Sequence, residues 1–335
     1  MRSWLNAWST TPVDAETHDL PRLPARSPDA HKGDAGRVAV FGGRCGEAWM
    51  PGAPALVARG AFRAGAGLVR ICAPSPVLPG AVQIEPSATG VPLPTDGTGA
   101  LIPHETAELF DEIVETCDAI AVGPGLGTDI GAIALCLRAV QQEHAPVIVD
   151  ADAINCLALV PELHRDFRAR AVLTPHPGEF SRLASALRLG VKPEDGASRK
   201  EAAERLAQRL GCVVVLKGLG TVVSDGVRTW VCDRGHPCLA TAGTGDVLTG
   251  LIAALAGQYL QAAPMPGLPE HLRAKMPADP SRPLDLFDVA RLGVQAHAVA
   301  GEHWAERSGV ESGLLARELA DLLPEALGGL RGHAG

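Results

Sequence analysis

The feature that most restricts the fold is a recurrent pairing of short apolar, β-branched runs with helical patterns. "RVAVFGG" (37–43), "LVRICA" (68–73), "DAIAVGPGLG" (118–127), "PVIVDADAIN" (146–155), "AVLTPHPGE" (171–179) and "CVVVLKG" (212–218) each read as a strand, most of them running into a glycine- or proline-bearing turn. Between them, "ALVARGAFRAGAG" (55–67) reads as an Ala-rich helix ended by glycine, the residue that tolerates a left-handed cap. "HETAELFDEIVETC" (104–117) is an amphipathic helix, and "SRKEAAERLAQRL" (198–210) opens with Ser198 and Glu201 at capping-box spacing. Continuous apolar strands spaced by helices predict an α/β fold, a mostly parallel sheet covered by helices on both faces. "TVVSDGVRTWVCDRG" (221–235) differs, because Asp225-Gly226 between two short runs predicts an antiparallel hairpin at one edge.

Residues 1–30 carry four prolines and no period, and read as an N-terminal extension outside the main fold, anchored by Trp4 or Trp8. Residues 31–335 read as a single domain. Within it, residues 264–283 hold six prolines and are expected as an inserted surface loop rather than a boundary. No internal repeat is present.

A net charge of −8 argues against a nucleic-acid binder, which needs a basic face. An anionic ligand would have to be held by a few local cations and by backbone amides. The eight cysteines form no C-x-x-C pair and do not cluster with histidine, so they are expected as reduced, buried thiols of a cytoplasmic protein. The N-terminus lacks a signal-peptide core, and no segment reaches the roughly 18 apolar residues of a membrane helix.

In a doubly wound sheet, ligands bind at the carboxyl ends of the strands. "GGR" (42–44), "GPGLG" (123–127), "DADAIN" (150–155), "TPHPGE" (174–179) and "KG" (217–218) all follow predicted strands and are expected to converge on one sheet edge. His176, between two prolines, is either a fixed loop histidine or an imidazole stiffened to face a ligand. Asp150 and Asp152 are strand-end caps, or carboxylates that orient Mg²⁺ through water, since that ion prefers oxygen and keeps much of its hydration. Lys217 ends a buried strand with Gly218, Gly220 and Thr221 behind it. It reads better as a phosphate-contacting lysine than as one that merely snorkels to water.

In "ATAGTGDVLTG" (240–250), Gly243 and Gly245 allow close backbone approach, and the helix that follows offers free N–H groups to an anion. Asp246 can serve there as a helix cap or as a base. A cap does not require the preceding run of glycine and threonine, so the base is the better reading.

These residues resemble the ribokinase-like superfamily, whose nucleotide-binding fold ends in a Gly-x-Gly-Asp anion hole. Within it the chain is most similar to the ADP- or ATP-dependent NAD(P)H-hydrate dehydratases, through "HKGDAGRVAVFGG" (31–43), "GAFRAGAGLV" (60–69), "GPGLG", "DADAIN", "LTPHPGEFSRL" (173–183), "VVLKG" (214–218) and "ATAGTGDVLTGLIAALAGQ" (240–258). The resemblance implies repair of NADH or NADPH hydrated at C6 of the nicotinamide ring. The nucleotide, with Mg²⁺, phosphorylates the ring hydroxyl and phosphate is then eliminated.

It further implies Asp246 as the base, and Ala242, Gly243, Thr244 and Gly245 as the anion hole. Lys217, Gly218, Leu219, Gly220, Thr221 and Gly245 would hold the nucleotide. Ala53, Gly125, His176 and Asp246 would contact the substrate. The first glycine-rich loop, "GGRCGEAWMPGA" (42–53), is longer than the pattern, with Arg44 where a small hydroxyl residue is usual; His236 stands where asparagine is expected. Many relatives carry a fused epimerase domain, which some 30 residues cannot contain. A separate epimerase is therefore the expected pathway partner, and a homo-oligomer is consistent with the resemblance. The alternatives are a sugar or vitamin-alcohol kinase of the same fold, and a non-catalytic nucleotide sensor.

Overall fold

A computed structural model describes residues 20–261 and 282–331. Its parallel strands are β1 (Arg37–Phe41), β2 (Leu68–Pro74), β3 (Thr89–Leu93), β4 (Ala119–Val122), β5 (Val147–Val149), β6 (Ala171–Leu173) and β7 (Val213–Leu216). The edge hairpin, β8 (Val222–Ser224) and β9 (Thr229–Val231), pairs antiparallel through Leu216↔Val222 and Val223↔Trp230. Strand order is β3-β2-β1-β4-β5-β6-β7-β8-β9. Order therefore reverses beside β1, whose Val38 pairs with Val69 on one side and Ala119 on the other. Sheets of this kind bind ligands beyond the carboxyl ends of the strands at such a switch point, here those of β1 and β4.

Alternation along each strand divides the core in two. Val38, Val40, Ile148, Val172 and Val215 face one side with α1 (Gly52–Arg63), α8 (Thr244–Tyr259), α9 (Leu286–Ser308) and α10 (Ala316–Gly328). Ala39, Phe41, Val149, Leu173 and Leu216 face the other, against α3 (Pro103–Val114), α4 (Ile130–Gln141), α5 (Asp152–Leu157), α6 (Pro177–Ala186) and α7 (Gly196–Leu210). The short α2 (Leu78–Ile84) joins β2 to β3. Both-face burial explains why the strands read as continuous apolar runs.

Helix α8 is central. Every residue from Val247 to Tyr259 is buried, as expected of a helix that is apolar all round. It packs on α1 through glycines: a Cβ at Gly250 would overlap the Val57 carbonyl oxygen, and one at Gly60 would press on that of Val247. This backbone-to-backbone seating fixes where the first turn of α8 projects.

Two expectations need amendment. Helix α7 is capped by Asp195, whose carboxylate accepts from Ser198 N–H at 2.8 Å while the Ser198 hydroxyl returns a bond to Asp195 N–H. Ser198 is thus the third helical residue rather than the cap, and Glu201 instead pairs with Arg205. The expected extension, where it is described from Leu20 onward, lies on the fold rather than apart from it. Leu23 is buried among α9 and α10 side chains, donates to Leu330 O at 3.0 Å and bridges Arg331, because its apolar side chain gains more by joining that core. Trp4 and Trp8 lie outside the described residues. So does nearly all of the proline-rich 264–283 stretch; its flanks are pinned together where Gln261 N–H donates to Leu284 O at 2.9 Å.

Gly250→Ala should lower stability by about 2 kcal/mol or more, because overpacking a close helix pair forces backbone displacement. Gly196→Ala, whose added Cβ meets nothing within 4 Å, should not. Chemical-denaturation midpoints of the two variants check the difference.

Candidate active site

The five loops that follow β1, β4, β5, β6 and β7 lie at the same sheet edge, as their parallel pairing requires. They are locked together by close backbone contacts. Gly43 N–H donates to Pro124 O at 2.9 Å, and Gly123, at φ 119°, leaves no room for a Cβ against the Asp150 carbonyl. Ala151 takes φ 51°, a strained conformation for a residue with a side chain, at the bend between the two aspartates. The bend sends Asp150 inward and Asp152 over the glycine loop, where its Oδ2 accepts from Gly127 N–H at 2.9 Å.

Asp150 is the buried hub. Its Oδ1 accepts from Lys217 Nζ at 2.7 Å and from Thr174 Oγ1 at 2.7 Å, and its Oδ2 from Thr249 Oγ1 at 2.9 Å. One carboxylate thereby ties together the ends of β5, β6 and β7 and the second turn of α8. Burial alone would lower the pKa of Lys217, but the charges of Asp150, Glu179 and Asp246 outweigh it, so the ammonium is held above its ordinary value. Lys217 has three N–H donors, and Asp150 uses one.

The first turn of α8 faces this hub. Gly243 is its N-cap at φ 89° and supplies no side-chain cap. The backbone N–H groups of Gly245 and Asp246 have no acceptor among the described residues, and a Cβ on Gly245 would stand 3.6 Å from Lys217 Nζ. Free amides at a helix start beside an ammonium form an anion site. The Asp246 carboxylate accepts no hydrogen bond among the described residues, so it is not a cap. Burial, then the charge of Asp150, push its pKa up to about 7 against the opposing pull of Lys217, with Asp152 adding a smaller upward push. A carboxylate tuned near neutrality is what a general base requires.

Sequence reasoning missed four residues that build this corner. Thr174 and Thr249 sit inside quoted motifs, but nothing in the pattern says that their hydroxyls serve Asp150. His297, on α9, lies 2.9 Å through Nε2 from the Thr244 carbonyl, to which it donates, bracing the first turn of α8. Burial presses its pKa down to about 4, so the ring is neutral. Arg199, on α7, donates to the carbonyls of Leu216 and Lys217 at 3.0 and 3.3 Å and so steadies the strand end that carries Lys217.

The other expected site residues fall into place unevenly. Gly218 (φ 142°), Leu219 (85% exposed), Gly220 (φ 64°) and Thr221, whose hydroxyl donates to Gly218 O at 3.0 Å, form an open turn after Lys217. Ala53 and Gly125 meet at the switch point, since a Cβ on Gly125 would lie 3.1 Å from that of Ala53. Ala242 is exposed just ahead of α8. His176 works as a cap: its Nδ1 accepts from Gly178 N–H at 2.9 Å and Glu179 N–H at 3.3 Å, opening α6, while its ring stays half exposed. His236 makes the same use of its Nδ1, accepting from Cys238 N–H at 3.2 Å.

Three of the four oxygens of Asp150 and Asp152 accept the hydrogen bonds above, and among the described residues no group of three His, Cys, Asp or Glu side chains is placed to hold a metal. The eight cysteines are free thiols, and burial raises the pKa of Cys72, Cys117, Cys212 and Cys232, so none of those four is an activated nucleophile.

Comparison with known proteins identifies the family. The family described as NAD(P)H-hydrate dehydratase matches residues 44–325. The chain belongs to that family. It is similar to an ADP-dependent (S)-NAD(P)H-hydrate dehydratase of Xanthomonas campestris, at 32% identity over 91% of this chain and 92% of the relative. It is also similar to a bifunctional NAD(P)H-hydrate repair enzyme of Escherichia coli, at 37% identity over 96% of this chain but 53% of the relative. The chain thus spans about half the length of the curated bifunctional relatives it matches. The ADP/ATP-dependent NAD(P)H-hydrate dehydratase of Bacillus subtilis, co-crystallised with ATP/Mg²⁺, superposes with a TM-score of 0.71 at 28% identity, covering 96% of this chain and all of that one. The fold is ribokinase-like, and no helix among the described residues is long and apolar enough to cross a membrane.

In this family member the raised pKa of Asp246 has a stability consequence of definite sign. Its contribution to folding is full below the ordinary carboxylate pKa of 3.8 and is lost as pH rises through about 7. Asp246→Asn, uncharged and nearly isosteric, should therefore be more stable than the wild type at about pH 8, by roughly 1 kcal/mol or more. The gap should close on acidification to about pH 4, as followed by denaturation midpoints across that range.

Proposed function

We propose that the chain dehydrates C6-hydrated NADH or NADPH back to the normal cofactor, with ADP or ATP as phosphoryl donor. The observation that carries this reading is Asp246: a carboxylate with no donor among the described residues and a pKa raised to about 7, beside the free amides of Gly245 and Asp246, with a Cβ on Gly245 placed 3.6 Å from Lys217 Nζ. A base and an anion site joined in this way suit phosphoryl transfer to an alcohol. Asp246 takes the proton of the ring hydroxyl as that oxygen attacks the terminal phosphorus, and the nucleotide leaves one phosphate shorter. The C6–O bond then breaks, phosphate departs with its electron pair, and loss of a C5 proton restores the ring double bond.

In this reading the amides of Ala242, Gly243, Thr244 and Gly245 and the ammonium of Lys217 hold the transferring phosphoryl group. The turn from Gly218 to Thr221 carries the nucleotide, and Ala53, Gly125 and the ring edge of His176 line the place of the hydrated nicotinamide. Mg²⁺ is proposed to arrive on the nucleotide phosphates, water bridging it to the vicinity of Asp150 and Asp152. The proposed setting is cytoplasmic, with an NAD(P)H-hydrate epimerase supplying the reactive epimer and the chain assembled as a homo-oligomer. Support for the paired repair activities comes from the bifunctional relatives, which unite two repair functions in one chain.

The test follows near-ultraviolet absorbance of reduced nicotinamide while hydrated NADH, Mg²⁺ and each nucleotide are supplied to the purified protein. A nucleotide-dependent rise is expected; phosphorylated substrate accumulating without any rise would favour the kinase reading. Asp246→Asn should keep nucleotide binding and lose about 10²–10⁴ in kcat, the usual contribution of a positioned base. For the wild type, kcat/KM should climb with pH through about 7 and level off as Asp246, facing Asp150, Asp152 and Lys217, becomes ionised.

A further inference from the structure

We propose that Arg44 binds a phosphate group of the dinucleotide substrate and sets the affinity for it; this rests on the dehydratase reading above. The residue follows the Gly42-Gly43 turn at the end of β1, at the switch point of the sheet. Its stem lies over the outer end of the β4 glycine loop, with Cδ 3.2 Å from where a Gly127 Cβ would be. The inner part of that same loop carries Gly125, packed against Ala53. Arg44 therefore stands over the same glycine loop that lines the proposed nicotinamide place, two residues further along it.

The backbone under Arg44 is held firmly. Met50 N–H donates to the Arg44 carbonyl at 3.0 Å, closing the loop, and Cys45 Sγ donates to Gly99 O at 3.2 Å, tying it to the neighbouring turn. The guanidinium, by contrast, makes no hydrogen bond and no ion pair among the described residues. The other cations of this edge are engaged: Lys217 with Asp150, Arg182 with the Asn155 side chain at 2.8 Å, and Arg199 with two backbone carbonyls.

Charge makes that free fork significant. Asp150, Asp152, Glu179 and Asp246 gather at this edge of a chain of net charge −8, so a polyanionic dinucleotide approaches an edge rich in carboxylates. The Gly127 amide, an otherwise suitable anion donor, is already given to Asp152. Arg44 is left to supply the positive charge, and a planar guanidinium suits phosphate oxygens bidentately. Trp49 (63% exposed) and Met50 (39% exposed), on the same loop, give apolar surface for the rings that flank the phosphates.

Steady-state kinetics of the wild type, Arg44→Ser and Arg44→Lys, with hydrated NADH and hydrated NADPH as separate substrates, test this. Arg44→Ser should raise the hydrate KM about tenfold, the size of one charge-assisted hydrogen bond. The nucleotide KM should stay put, and Arg44→Lys should recover part of the loss. A rise with both hydrates assigns Arg44 to the shared pyrophosphate; a rise confined to hydrated NADPH assigns it to the 2′-phosphate. Unchanged KM for both hydrates, or a rise in the nucleotide KM instead, overturns the proposal while leaving the dehydratase reading intact. A wild type that turns over neither hydrate overturns that reading and this proposal with it.

Discussion

The site is organised around the Asp150–Lys217 ion pair, with its two threonine hydroxyls. Removing two charges from water costs several kcal/mol each, and their attraction recovers this only where geometry is good and remaining lone pairs are filled. Thr174 and Thr249 fill them. Because those partners come from β6 and α8, and the pair itself from β5 and β7, satisfying one carboxylate aligns four elements. The sheet edge and the first turn of α8 are thus positioned by the same few hydrogen bonds. Losing either charge would leave the other buried without compensation, which is why such a pair holds register more than it adds stability.

That arrangement sets the chemistry of Asp246 without touching it. Burial does most to raise the proton affinity of Asp246, Asp150 adds to it across the site, and Lys217 restrains the rise. Neutral His297 fixes the Thr244 carbonyl behind the same turn and adds no competing charge there. The catalytic candidate is the one carboxylate of this corner left without donors, whereas Asp150, Asp152 and Glu179 all have them.

Much of this was readable from the chain because five of the strands run into glycine- or polar-rich segments that turns alone explain poorly. Period and apolar continuity located six of the seven parallel strands, the edge hairpin and the convergence of the five loops; β3 was not read, because Gly90 and Pro92 and its partly exposed edge position break the apolar run. They also located Asp246 and Lys217, whose pairing with small residues is local in sequence. What stayed hidden depends on contacts distant in sequence. Thr249 reaches Asp150 across 99 residues and His297 reaches Thr244 across 53, and no periodicity encodes such a pair. Ser198 was misplaced for a simpler reason: Asp195 offers a stronger cap three residues earlier, and Ser198 fits either role. His176 shows the opposite ambiguity. Its flanking prolines do stiffen the loop, but they also leave the imidazole where it can cap α6, so one pattern served two readings.

The remaining question is how an acidic chain would attract the two anionic ligands of the proposed reaction. Net charge governs the long-range field, but binding is decided within a few ångströms, where low-dielectric surroundings strengthen each local interaction. Free amides at the start of α8 carry partial positive charge that cannot be titrated away, and Lys217 is held charged by its acidic neighbours Asp150, Glu179 and Asp246. In the proposed reaction those acids therefore support the anion site. A phosphate settling against these amides would bring further negative charge toward Asp246 and raise its proton affinity again, so the proposed base would strengthen with a donor in place. As the phosphoryl group transferred, its charge would spread over oxygens facing fixed dipoles, and the proton would pass to a carboxylate whose proton affinity is already raised. Binding and proton transfer would then be coupled through electrostatics.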